Sequence, residues 1–276
     1  MSKVFCLILN YNRPRDTIKC AESLLKSDLP AGTGIIIIDN GQMNRKKYFS
    51  THVPPAIYLK SPGNIGFSAA NNLGIKYALS HAATHVLIIN PDVTVPRRFL
   101  SGLLDTFKVT PRRVGLVAPA HTEGRGNYGL GGTIDWRWGS FPHDNVTKLP
   151  QSPRRYDLLT FACVLIKREV FEQVGLMDER YFLYLEDVDY CVSAAKAGFS
   201  LYLNPSVVIN HQTSSSFSDP RAKIWYSLRS CLIFIRKWYS FPHNILPILH
   251  TLHFYPSLYV LWTLKRWIRK YRSNKV

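Results

Sequence analysis

The sequence predicts an α/β fold: a mixed, mainly parallel sheet flanked by helices, with a basic helical appendage at the C-terminus. Three observations lead there. Short apolar runs at residues 4–9, 35–38, 56–59 and 86–89 stay almost free of polar residues, as strands buried on both faces do. Helix-like spacing of apolar residues fills the gaps after the first and third runs, and the last 60 residues are strongly basic. Each run stops in polar or turn-forming residues, and ligands bind outside the carboxyl ends of parallel strands.

Composition bounds the reading. A chain of 276 residues, 46% hydrophobic and 19% charged, can bury a full core and is not disordered. Cys6, Cys20, Cys163, Cys191 and Cys231 are odd in number and scattered, which argues for reduced thiols in a cytosolic setting and against structural zinc. No basic leader with a small-residue cleavage site precedes residue 4, so secretion is not expected. Of the net charge of +17, residues 217–276 supply eleven Lys and Arg against one acid, Asp219. Such a tail suits nucleic acid, an anionic membrane surface, or water alone.

The first strand, 4–9, ends in Asn10-Tyr11-Asn12-Arg13-Pro14. Ile18, Ala21, Leu24 and Leu25 then mark one face of a helix over 16–25. The second strand, 35–38, stops at Asp39-Asn40-Gly41 and completes a βαβ unit. Asp39 either accepts hydrogen bonds from a ribose or base, or serves as a turn residue before Gly41. After the third strand, Gly63-Asn64-Ile65-Gly66-Phe67-Ser68 opens a helix that contains Asn71 and runs to about residue 82. A glycine-bearing loop at a helix start suits a phosphate or sugar. It is neither the dinucleotide fingerprint nor the phosphate loop of ATPases, so it argues against both classes.

The fourth strand delivers Asn90-Pro91-Asp92, an amide and a carboxylate two residues apart. Hard oxygen ligands of this kind hold Mg²⁺ or Mn²⁺, which neutralises a diphosphate. One Asn-x-Asp is weak by itself; its place at the end of a central strand gives it weight. Residues 114–118 read as a further strand, and 121–155 as an irregular insertion, a lid or an acceptor-facing surface. Trp136 and Trp138 within it either stack on sugars or anchor the loop, with the anchor slightly preferred. Residues 158–166 are apolar, and a short helix to Val174 is closed by Gly175.

Glu186-Asp187-Val188-Asp189 places three carboxylates in four positions among aromatic and apolar residues. They are costly to desolvate unless each has a partner or a task. Asp187 is the candidate base; acids complementing a helix macrodipole are a compatible reading. A helix over 188–197 follows, stopped by Gly198, and then strand-like pieces at 201–203 and 207–209. His211 stands after them among Asn210 and the hydroxyls of 213–216, either as a metal or phosphate ligand or as a structural histidine.

Together, Asn10-Tyr11-Asn12, Asp39-Asn40, Gly63-Asn64-Ile65-Gly66, Asn90-Pro91-Asp92, the acidic box and His211 resemble the family 2 glycosyltransferases of GT-A fold. The similarity covers roughly residues 3–240, and its nearest branch is the rhamnosyltransferase-like group of bacterial O-antigen and cell-wall synthesis. The resemblance implies a nucleotide-sugar site of Asn10, Tyr11, Asn12, Arg13, Asp39, Asn40, Asn64, Gly66, Phe67, Asn71, Asn90 and Asp92. It implies a divalent cation, Mg²⁺ or Mn²⁺, on Asp92 and His211. Asp187 becomes the general base of an inverting transfer, with Glu186 on the acceptor side, where Trp136 and Trp138 would also stand. The expected donor is dTDP-rhamnose, or else a UDP-hexose, and the acceptor a hydroxyl of a lipid-linked or cell-surface glycan. Phe161, where relatives usually carry Gly, and Ser193, where many have Arg, depart from the pattern and put the acceptor pocket in question.

Residues 1–216 are expected to form the transferase domain, with a nucleotide-sugar half to 118 and an acceptor half beyond it. Residues 217–276 form the appendage. Ile224, Trp225, Leu228, Leu232 and Ile235 give its first part a helical stripe. The next part, 244–264, has no Asp, Glu, Lys or Arg for 21 residues, long enough for a span. Pro247, Pro256, His250 and His253 interrupt it and favour a surface-lying segment, followed by a basic cluster at 265–275 for anionic lipid. The expected location is the cytoplasmic face of the bacterial inner membrane. A nucleic-acid binder has no use for the acidic box. A non-catalytic sugar-nucleotide binder or a nucleotidyltransferase on a similar sheet is the alternative, although the latter calls for a glycine-rich, Lys-bearing loop where this chain has Asn10 to Pro14. Oligomeric state leaves no mark in the sequence.

Overall fold

The computed structural model describes residues 2–110, 113–124, 126–212 and 220–273. The chain begins with β1 (Val4–Asn10), α1 (Pro14–Leu25), β2 (Gly34–Asp39), α2 (Lys46–His52), β3 (Ile57–Lys60), α3 (Phe67–Ser80) and β4 (His85–Ile89). It continues through β5 (Val93–Thr94), α4 (Leu100–Val109), β6 (Val114–Gly124), β7 (Asn127–Gly132), β8 (His143–Val146), β9 (Arg154–Tyr156) and β10 (Cys163–Lys167). Then come α5 (Arg168–Val174), α6 (Glu186–Lys196), β11 (Ser200–His211), α7 (Pro220–Trp238) and α8 (Ile245–Ser273).

The strands lie in the order β3-β2-β1-β4-β10-β6-β11-β5. β3, β2, β1 and β4 are mutually parallel, β10 is antiparallel to both its neighbours, and β6 with β11 is parallel again. Chain order reverses between β1 and β4, which opens a crevice outside their carboxyl ends. Register lines up the polar ends: Asn10 stands opposite Asp39, and Asp39 opposite Lys60.

All seven residues of β1 are buried, because the sheet is covered on both faces. Leu7 and Leu9 join one core with Ile36, Ile38, Tyr181, Tyr190 and Phe234; Cys6 and Ile8 join the other with Leu24, Phe49, Phe99 and Leu103. The alternation is the two-residue period of a strand. Each such Leu or Ile, taken out of water, contributes roughly 1.5–3 kcal/mol. α3 sits close on this sheet because Gly74 has no side chain; a Cβ there would stand 2.6 Å from Ile38 Cδ1 and 3.0 Å from Leu7 Cδ1.

Three sequence expectations change. The insertion at 121–155 is not irregular: β6 runs on to Gly124 and forms an antiparallel ribbon with β7 and β8, while β9 pairs with β11. Its glycines hid the strands, since Gly131 and Gly132 are needed to pass the Tyr156 ring and the Pro142 carbonyl. The pieces at 201–203 and 207–209 are one strand, β11, with a register shift between Asn204 and Val208. Finally, 244–264 is not interrupted, because α8 runs through Pro256 from a first turn that holds Pro247. Proline is tolerated in a first turn and bends an interior one. Among the described residues no helix is long and apolar enough to cross a membrane. The side chains of the basic cluster at 265–275 and the hydroxyls of 213–216 lie outside the described residues.

Candidate active site

The crevice holds a cavity of about 280 Å³. Its floor is set by Asp39, which is fully buried and accepts hydrogen bonds from Asn10 Nδ2 (2.8 Å), the Tyr58 hydroxyl (2.9 Å), and the Gly41 and Arg45 backbone N–H groups (both 3.3 Å). Burial and the bond to Asp39 push the Tyr58 hydroxyl up to about 12. Lys60 Nζ binds the carbonyls of Asp39, Gly41 and Ser61, and so ties the ends of β2 and β3 together. Asn40 extends the frame, donating to Asn64 Oδ1 at 3.1 Å and accepting from the Ile65 N–H.

Of the residues singled out in the sequence, Tyr11, Arg13, Asn40, Asn64, Gly66, Phe67, Asn90, Asp92, Glu186 and Asp187 line this cavity together. Asn10, Asp39 and Asn71 are buried and do not line it. Asn10 and Asp39 brace the floor, and Asn71 donates to the Phe67 carbonyl one turn back along α3. Asn12 is also outside the lining; it holds a positive φ of 54° and accepts from Arg45 at 3.5 Å. Trp136 and Trp138 stand apart, Trp136 against Phe234 and Tyr239, and Trp138 against His250. They anchor the ribbon to α7 and α8, and the structure does not bring them to the cavity.

Asp92 is presented by a turn in which the Asn90 N–H bonds the Ala162 carbonyl at 2.8 Å. Arg13 Nη1 meets Asp92 Oδ2 at 3.0 Å and Nη2 meets Asp16 at 2.8 Å. His211 Nε2 lies 3.4 Å from Asp92 Oδ1, and the His121 ring packs edge-on against His211 at 5.7 Å. His121 had no signal in the sequence, being one histidine inside a long strand.

Across the cavity, Glu186 and Asp187 open α6. Tyr184 and Leu185 immediately before them both have positive φ, 68° and 62°, in the region that non-glycine residues rarely adopt. This left-handed pair turns the chain so that the first helical turn faces the crevice. Neighbours hold it: Phe67 N–H bonds the Phe182 carbonyl at 2.7 Å, Phe182 stacks on Tyr226 at 4.8 Å, and Ser230 Oγ donates to the Leu183 carbonyl at 2.8 Å. Gly66, at φ 87°, lets the two backbones meet, since a Cβ would lie 2.7 Å from the Phe182 oxygen.

The two carboxylates differ. Burial, and then the charge of Asp187, push Glu186 well above the ordinary range, and its Oε2 has no hydrogen-bond partner. Burial raises Asp187 too, but the Val188 N–H at 2.8 Å, the positive charge of His143 and the Phe161 N–H favour its ionised form. Burial thus favours the protonated form at both carboxyls, most strongly at Glu186, while the bonds and charge around Asp187 offset part of it. Phe161, the departure noted above, lines the cavity and packs its buried ring against Tyr190 at 6.0 Å. Ser193 returns its hydroxyl to the Asp189 carbonyl one turn back along α6.

Residues 6–175 match the family described as Glycosyl transferase family 2. The N-acetylglucosaminyl-diphospho-decaprenol L-rhamnosyltransferase of Mycobacterium tuberculosis (strain ATCC 25618 / H37Rv) is 27% identical over 232 residues, 75% of either chain. The dTDP-rhamnosyl transferase RfbF of Shigella flexneri is 20% identical over 249 residues, 86% of this chain and 81% of that one. A crystal structure of GalNAc-T7 with UDP, GalNAc and Mn²⁺ superposes with a TM-score of 0.66 at 15% identity, covering 87% of this chain and 49% of that chain.

Proposed function

Since the chain belongs to glycosyl transferase family 2 and is a glycosyltransferase of GT-A fold, we propose that it moves rhamnose from dTDP-rhamnose to a hydroxyl of a lipid-linked glycan, with inversion at the anomeric carbon. The observation that carries this reading is that Asp187 and Asp92, from opposite halves of the chain, line one cavity. In that space the acceptor oxygen attacks the anomeric carbon as its proton passes to Asp187 Oδ. The bond to the diphosphate breaks on the opposite face, and the electron pair leaves with the nucleotide. A positioned base contributes on the order of 10² to 10⁴ in rate. The names of the mycobacterial and Shigella relatives support the choice of rhamnose and, for the former, a diphospho-lipid acceptor.

The residues fit a divalent cation. Asp92 and His211 offer an oxygen and a nitrogen 3.4 Å apart, and no group of three or more His, Cys, Asp or Glu that could hold a metal occurs among the described residues. Mg²⁺ and related ions are commonly held by one or two side chains together with substrate phosphates. When bound, the ion neutralises the charge of the departing diphosphate. Arg13 stands beside the same carboxylate and adds a second positive group to the diphosphate side.

The appendage belongs to the same reading. α8 exposes Leu249, Leu252, Leu258, Val260 and Leu261, and it lies on an anionic membrane surface where a lipid-linked acceptor is held.

The test is a donor panel of dTDP-rhamnose and UDP-hexoses, with and without Mn²⁺ or Mg²⁺. The expected result is thermal stabilisation by dTDP with the ion, and sugar transfer from dTDP-rhamnose that a chelator abolishes. Transfer of the nucleotidyl group, or tight donor binding without turnover, favours the rival readings. Full activity in chelator removes the cation.

A further inference from the structure

A second cavity, of about 630 Å³, lies on the other side of Asp187, between the β7–β8 connection, α7 and α8. It shares Tyr184, Glu186 and Asp187 with the first cavity. Its walls are mostly apolar, from Phe141, Leu185, Phe254 and Tyr255. Three basic side chains also line it: Lys223 from α7, His250 from α8 and His143 from the ribbon. The acids among its lining residues are Glu186 and Asp187 at the inner end, both already assigned a task. Among the described residues Lys223 makes no ion pair; its ammonium stands 6.0 Å from the centre of the Tyr184 ring. His250 rests against Phe254 at 5.8 Å and Trp138 at 6.0 Å.

We infer that this cavity is the acceptor channel and that it takes a lipid diphosphate: the sugar hydroxyl at Asp187, the diphosphate on Lys223, His250 and His143, and the lipid along α8. The inference rests on the proposed transferase reading and deepens it. The chemistry of the lining carries it. The reacting carboxylate shares this space with one lysine and two histidines, and α8, which supplies part of the wall, exposes Leu249, Leu252 and Leu258 elsewhere on its surface. A free oligosaccharide has no use for a lysine and two histidines set between apolar walls. A second nucleotide would call for hydrogen-bonding side-chain amides, which the first cavity has in Asn40, Asn64 and Asn90 and which are absent from the lining of this one. Lys223 offers a diphosphate a charge-assisted bond, the strong kind, and the two histidines offer ring N–H donors beside it.

Farnesyl diphosphate serves as the probe, titrated into the full chain in the presence of saturating dTDP. It is expected to bind without displacing dTDP. Farnesol and inorganic pyrophosphate are each expected to bind at least about tenfold more weakly, since each lacks one of the two recognised parts. The variant Lys223→Ala with His250→Ala is expected to weaken farnesyl diphosphate about tenfold or more while changing dTDP affinity less than about twofold. Ser227→Trp, which fills the channel from α7, is expected to block the probe and leave dTDP binding intact. Unchanged probe affinity in both variants, competition between the probe and dTDP, or pyrophosphate binding as well as farnesyl diphosphate overturns the channel. Loss of dTDP binding by the wild type, with the probe still following charge and lipid, overturns the donor reading and leaves the channel standing.

Discussion

Trp238 donates its indole N–H to Asp189 Oδ1 across 2.8 Å. Lys237 meets the other carboxylate oxygen at 2.7 Å, and the Tyr181 hydroxyl shares Oδ1 at 3.1 Å. The third acid of the box is thus a bolt, fixing the end of α7 to the first turn of the helix that carries Asp187. Lys237 also reaches Asp178 at 3.1 Å, where Arg180 and Lys237 hold the carboxyl below the ordinary range.

Breaking this bolt should unfold the protein more readily. Asp189→Ala leaves a buried hydroxyl and an indole N–H without their acceptor and Lys237 with Asp178 alone, and loss of one partner of a buried pair costs about 3–5 kcal/mol. Trp238→Phe removes one donor and is expected to cost about 1–3 kcal/mol. Denaturant unfolding reads both, and equal midpoints for Trp238→Phe and the wild type would show that α7 is held by packing alone.

The carboxylate pair should separate cleanly on substitution. Asp187→Asn is expected to lower transfer by about 10² to 10⁴ while dTDP still binds. Glu186→Gln resembles the protonated acid and is expected to keep activity within a few-fold. As the proposed base, Asp187 must be ionised, and burial raises it, so the acid limb of kcat/KM is expected above the ordinary aspartate value of 3.8. His143→Gln removes a favourable charge and moves that limb further up. Glu186 has the corresponding effect on stability. Between the ordinary glutamate value of 4.5 and its raised folded value, the unfolded chain binds fewer protons than the folded one, so stability falls as pH rises. Glu186→Gln therefore raises Tm at neutral pH; a lowered Tm there would contradict the protonated state.

Gly66→Ala tests the seam between α3 and the loop before α6. The new Cβ would meet the Phe182 oxygen at 2.7 Å and force an alanine to φ 87°. A cost on the order of 1–3 kcal/mol follows from the backbone alone. Because the contact also positions the 182–185 loop, kcat should fall with Tm, and a loss of Tm without loss of kcat would uncouple the two.

Membrane contact is testable on α8 without truncation. Leu249→Glu with Leu261→Glu alters side chains that are 59% and 54% exposed, so folding should survive. Flotation with vesicles containing anionic lipid is expected to drop several-fold for the variant, and binding of the wild type should weaken with salt. Equal flotation of the two proteins would remove the membrane role of this helix.

Much of this was legible in residue order. The parallel strands showed as apolar runs because both sheet faces are covered, and Asn90, Asp92, Glu186 and Asp187 showed as polar residues at strand and helix ends. What could not be read depends on partners distant in sequence. Asp39 looks like a ligand-facing carboxylate until Tyr58, Arg45 and Asn10 are seen to surround it. The two tryptophans read as a sugar platform or, by a small margin, as an anchor, and only the arrival of α7 and α8 decides between them. α8 itself passed for a broken segment, since a proline's cost to a helix is local while what offsets it is packing elsewhere, such as Tyr255 against Cys231. Asn72 is similar: its side-chain amide donates to the Met177 carbonyl and accepts from the Met177 N–H, a link across 105 residues that no local pattern announces.

The left-handed dipeptide Tyr184–Leu185 sets durability against function at a single place. Each residue held there stores about 1–3 kcal/mol of conformational strain, which glycine would relax. Selection for heat resistance alone would favour that replacement. The relaxed backbone would, however, sample other directions just ahead of Asp187, and a base must stay within about 2.6–3.2 Å of its proton to act. A thermostabilised version of this enzyme is therefore better sought in the ribbon or on the surface of α1, leaving the strained pair as it is.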